Sequence, residues 1–86
     1  MNETRELPLY MQLKLKHAQE DIAAKISGPY LERVLAYELV NVKRMFEEVE
    51  REQSLQLARE TLSYVQDVLY KADNIPPLRY GRAGRR

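Results

Sequence analysis

At 86 residues the chain is at most one small domain, near the lower end of what buries enough apolar surface to stand alone, so support from a second copy or a partner is expected. Apolar residues make up 44% and charged residues 31%, the balance of a folded chain, and the absence of cysteine excludes disulfide staples and thiolate metal sites. The net charge of +1 hides an asymmetry, because residues 1–74 carry ten Lys/Arg against all thirteen Asp/Glu while residues 75–86 carry four arginines and no acid.

Residues 1–7 read as a short polar leader. Pro8 stands where a helix tolerates proline, in a first turn whose N–H groups have no partner to lose. From there Met11, Leu15, Ala18, Ile22 and Ile26 recur at helical spacing, which predicts a first helix over about 8–26. Leu9 and Leu13 lie on a neighbouring strip and widen its apolar face.

The run Ser27-Gly28-Pro29 ends that helix, since Gly28 suits a left-handed cap and Pro29 opens a helix more readily than it continues one. A second helix is expected over 29–50, with Leu31, Val34, Leu35, Leu39, Val42, Phe46 and Val49 along one side and Arg33, Glu38, Lys43, Arg44 and Glu47 on the other. Nothing between Tyr30 and Ile75 is Gly or Pro, so one continuous helix is sterically allowed. The step from Val49 to Leu55 is six residues, however, which throws the stripe about 120° out of phase. The polar stretch 50–54 lies there, and Ser54 is an acceptable N-cap, so a turn near 51–54 and a third helix over 55–72 are expected.

Leu55, Ala58, Leu62, Val65, Leu69 and Ala72 form the stripe of that third helix, alternating three- and four-residue steps as a coiled-coil seam does. Leu55, Leu62, Val65 and Leu69 are therefore the candidates for self-association, with a bundle core as the competing use. Asp73 and Asn74 leave a helix readily and Pro76-Pro77 forbid its return, so residues 8–73 read as the helical domain and 74–86 as an extended tail. The fold expected is all-α: a small three-helix bundle, or a helical hairpin with a third helix, followed by a basic tail.

Catalytic signals are sparse. His17 is the one histidine, and the residue three before it is Lys14, whereas di-iron bundles use Glu-x-x-His. A metal-dependent enzyme would need His17 pooled from several chains. Glu47, Glu48, Glu50 and Glu52 are dense, but a calcium loop needs spaced oxygen ligands and a glycine at its bend. No phosphate-binding glycine loop or nucleophile elbow occurs. The chain is accordingly read as a non-enzyme with no cofactor.

Six tyrosines stand against one phenylalanine, and tyrosine suits a border between core and water or a protein interface. Tyr37, Tyr64 and Tyr70 flank the stripes, whereas Tyr80 stands between arginines. In the tail, Arg79, Arg82, Arg85 and Arg86 offer bidentate contacts to carboxylate or phosphate, Tyr80 can stack, and Leu78 can anchor in an apolar groove. The reading is a helical adaptor or accessory subunit, a homodimer or other homo-oligomer, whose tail docks in an acidic groove of a protein partner. The alternative is a DNA- or RNA-associated protein whose paired tails, aided by Lys14, Lys16, Lys43 and Arg44, contact phosphates. No apolar run approaches the about 18 residues a membrane helix needs, and the N-terminus lacks a basic stretch followed by an apolar one, so a soluble, intracellular protein of the cytoplasm without a membrane partner is expected. No motif specific enough to name a family covers any part of the chain.

Overall fold

The computed structural model describes residues 6–76, and within them the fold is all-α. Helix α1 runs Leu9–Lys25, α2 Pro29–Val34, α3 Ala36–Glu52 and α4 Leu55–Asn74. The arginine-rich stretch 77–86, with Leu78 and Tyr80, lies outside the described residues.

The start of α1 is held by the residues before it. Leu7 is buried rather than part of a polar leader, its N–H donates to Gln53 Oε1 at 3.0 Å, and its carbonyl accepts from Gln12 Nε2 at 2.7 Å. Pro8 supplies the first carbonyl of the helix, accepting from the Met11 and Gln12 N–H groups. At the other end Gly28 takes φ 109°, a conformation that favours glycine, and Pro29 opens α2.

One helix was expected over 29–50, and the structure has two. Leu35 leaves helical geometry at φ −104°, ψ 18°, although its N–H still reaches Leu31 and its carbonyl still accepts from Leu39. The connection from α1 is only three residues long, which ties the start of α2 to the end of α1 while α3 must lie along the bundle. Leu35, 1% exposed, fixes the bend by its burial, and no glycine or proline announces it.

Between α3 and α4 the chain reverses over two residues. Gln53 adopts the left-handed region at φ 53°, and Ser54 Oγ accepts from the Leu57 N–H at 3.2 Å as the N-cap of α4.

The core is two stacked clusters. Leu7, Met11 and Leu15 pack with Val49 and Ala58 at one end; Ala18, Ile22 and Ile26 pack with Leu35, Val42, Val65, Val68 and Ala72 at the other. This places α1 parallel to α4 and antiparallel to α3. Helix α4 packs against both neighbours, and its innermost residues are Ala58, Thr61, Val65, Val68 and Ala72. These are small or β-branched, so both neighbours approach its backbone closely. The buried line is thus rotated from the predicted stripe: Thr61 and Val68 take the centre, and Leu62 and Leu69 move to its edge.

Candidate interaction surfaces

The four residues expected at a self-association face are used inside the chain. Val65 is 1% exposed, Leu62 and Leu69 pack against the larger cluster, and Leu55 packs against the smaller one. The reason is the width of the α4 apolar face: Leu62, Leu69 and Leu55 reach towards α1 while Leu57 and Tyr64 lie on the α3 side, leaving Ser63, Asp67 and Tyr70 to solvent.

Apolar side chains are exposed instead on the two outer helices. On α1, Leu9 is 69% and Leu13 48% exposed, with Tyr10 beside them. Leu13 is two residues from both Met11 and Leu15, about 200° around the helix, so it points away from the core that those two enter. On the α2–α3 side, Val34, Tyr37 and Val40 are exposed, Tyr37 the most at 76%. Tyr37 and Val40 straddle the back of α3, opposite Leu35, Leu39 and Val42. These two patches lie at opposite ends of the bundle, the first beside the Leu7–Ala58 cluster and the second beside the Ile26–Leu35 cluster.

The tyrosines divide by environment. Tyr64 accepts a hydrogen bond from Asn41 Nδ2 at 3.3 Å, and Tyr30 donates to the Pro76 carbonyl at 3.1 Å, tying the end of the described chain to the start of α2. Tyr10, Tyr37 and Tyr70 are exposed.

Charged groups bind the helices to one another more than they form sites. Lys71 Nζ donates to Glu38 Oε2 at 2.7 Å across α4 and α3, and Lys25 Nζ pairs with Asp73 at 2.6 Å across α1 and α4. The hydrogen bond from Lys71 holds the Glu38 carboxyl below the usual carboxylate range, and the same bond raises Lys71. Of the acids at the end of α3, Glu48 and Glu52 flank Arg51 at 4.0 and 3.8 Å.

The basic residues proposed to assist nucleic-acid contact are not gathered into one patch. Lys14 lines the α1–α4 groove and Lys16 the α1–α3 groove, while Lys43 and Arg44 follow Val40 on α3, with Arg44 hydrogen-bonded to Asn41 Oδ1 at 3.0 Å. His17 borders the α1–α4 groove with Lys14, Asp21 and Gln66. Among the described residues no three His, Asp or Glu side chains converge as a metal site would need, and no helix is long and apolar enough to cross a membrane.

No protein-family model, no curated protein and no solved structure matches the chain.

Proposed function

We propose that the chain is a non-enzymatic binding module, an adaptor or accessory subunit that joins a second copy of itself and holds a protein partner. The supporting observation is the pair of exposed apolar patches at opposite ends of the bundle, Leu9-Tyr10-Leu13 and Val34-Tyr37-Val40. Each has an exposed tyrosine, an aromatic residue of the kind that anchors interfaces. Arg79, Arg82, Arg85 and Arg86, with Leu78 and Tyr80, supply a cationic segment that docks on the partner's acidic groove.

The test compares the full chain, Val40→Asp and residues 1–76 by cross-linking in cells followed by identification of the captured proteins. The reading expects a defined set of partners that Val40→Asp or the shortened chain loses while helicity and Tm are retained. An unchanged set in both would overturn it. The nucleic-acid reading rests on the +4 charge of residues 75–86. Binding of duplex DNA or single-stranded RNA that residues 1–76 lose, with steep salt dependence, would put that reading first.

A further inference from the structure

We infer that the cleft between α1 and α4 beside Lys14 and Arg59 is a binding site for a phosphate monoester, the doubly charged ester seated between the two cations. On α1, Tyr10 and Lys14 stand at i and i+4; on α4, Arg59, Ser63 and Gln66 stand at i, i+4 and i+7. Each set is one strip of its helix, and the two strips face each other across a cleft of about 380 Å³, with Met11 and Leu62 completing its lining. That volume suits a small ligand. All of these strip residues are exposed, and each carries a side-chain N–H or O–H donor. Among the described residues none of them is engaged in an internal side-chain hydrogen bond or ion pair.

The same pair of helices treats two of its lysines differently. Lys25 is answered across the groove by Asp73 at 2.6 Å. Lys14 lies eleven residues earlier, on the same side of α1 to within about 20°, and the residue eleven before Asp73 is Leu62. Lys14 therefore meets an apolar residue where Lys25 meets a carboxylate, and Arg59 adds a second positive charge to the same cleft. The neighbouring acids are placed elsewhere. Glu60 lies about 100° around α4 from Arg59 and accepts from Gln56 Nε2 at 3.3 Å. Asp21 lines the adjoining cleft, two turns or about 10 Å along α1 from Lys14, which is one screening length at about 0.1 M salt. A lining with two cations and no acid favours a ligand of charge about −2, which a phosphate monoester carries above its second pKa of about 6. The planar Arg59 fork suits two of its oxygens and the Lys14 ammonium the third, with the Tyr10 and Ser63 hydroxyls and the Gln66 amide as further donors. Met11, Leu62 and the Tyr10 ring are left for the organic group that bears the phosphate.

Chemical-shift titration of the isotope-labelled full chain with phenyl phosphate, at about pH 7.5 and constant ionic strength, tests the site. Saturable shifts at residues 10–14 and 59–66 are expected, with a Kd of about 1–10 mM. Phenyl sulfate, similar in shape with one charge, is expected to bind about fivefold more weakly. Lys14→Gln and Arg59→Gln should each weaken phenyl phosphate about fivefold, while Lys43→Gln should not. These three side chains are exposed, so the variants should keep the parent Tm. N-acetylphosphotyrosine amide separates the two sources of such an ester: tighter binding than phenyl phosphate supports a phosphorylated side chain, and equal binding supports a free small molecule. No shifts up to about 20 mM would overturn the site. So would shifts confined to residues 77–86 or spread evenly over Lys16, Lys43 and Arg44, equal affinity for the sulfate, or parental affinity in both Lys14→Gln and Arg59→Gln.

Discussion

Thr61 is fully buried, and among the described residues it is the one polar side chain in the core. Its hydroxyl donates to the Leu57 carbonyl at 2.8 Å, one turn back on its own helix. That carbonyl sits in the i−4 position that the Thr61 N–H uses, so deleting the hydroxyl leaves no orphaned acceptor. Thr61→Val should therefore be neutral or stabilise by up to about 1 kcal/mol, whereas Thr61→Ser, which removes a buried methyl, should cost about 1 kcal/mol. Urea denaturation of the two variants decides it: a Val variant less stable than the Ser variant would mean the hydroxyl does more than satisfy itself. Gln53 makes a second residue-scale case. It holds a left-handed backbone at φ 53°, accepts from the Leu7 N–H, and donates from Nε2 to the Glu50 carbonyl at 2.9 Å. Gln53→Ala loses both bonds and keeps the strain, so it should cost about 1–2 kcal/mol, and Gln53→Gly should cost about 0.5–1 kcal/mol less because glycine accepts that backbone. Both variants should speed hydrogen exchange at the Leu7 amide, and protection left intact there would show that Gln53 does not hold the start of α1.

Between elements, the Glu38–Lys71 bridge fastens α3 to α4 and makes that packing pH-sensitive. Glu38 is lowered by the hydrogen bond from Lys71, so its contribution is complete above its ordinary value of 4.5 and is lost as pH falls through the lower folded-state value. Lys71 is raised by the same bond, so its contribution is complete below 10.5 and is lost as pH climbs through the raised value. Lys71→Met should then lessen the fall of Tm between about pH 5 and pH 3, because it removes the largest cause of the Glu38 lowering and leaves only the backbone hydrogen bond. Thermal melts across that range test it, and an acid limb as steep as that of the parent would assign the sensitivity to other carboxylates. The elements themselves were unequally legible. Gly28-Pro29 and the phase break before Leu55 are local chemistry, and they mark where α1 ends and α4 begins. The bend at Leu35 is tertiary: an ordinary helix former yields its geometry because a short loop anchors α2, and no residue type announces that. The α4 register differs from the sequence stripe for a related reason. Thr61 is polar by type, so hydropathy draws the stripe through Leu62 and Leu69, although the helix between two neighbours needs its smallest residues innermost. At the candidate surface, Leu9 and Leu13 read in the sequence as widening the apolar face of α1, and the structure leaves both exposed, since periodicity measures the width of an apolar face and not how much of it a neighbour covers.

For the whole molecule, α4 is the shared wall on which α1 and α3 lean, and both core clusters draw on it. The folded unit must therefore include all of α4 and whatever packs at its end. Helix α4 extends to Asn74, the Ile75 N–H reaches the Ala72 carbonyl at 3.4 Å, and the Ile75 side chain packs against the larger cluster. The Pro76 carbonyl then accepts from Tyr30. A tail drawn from residue 74 would accordingly cut into the folded unit, and a shortened protein made to test residues 77–86 should stop after Pro76. Residues 1–76 are expected to keep the Tm of the full chain within about 2 °C, while residues 1–74 should lose about 1 kcal/mol from the half-buried Ile75 and the lost Tyr30 contact. Equal stability of the two shortened forms would show that Ile75 contributes nothing to the core. A clear drop already in residues 1–76 would show that part of 77–86 packs on the bundle, and its arginines would then serve the fold before they serve any partner.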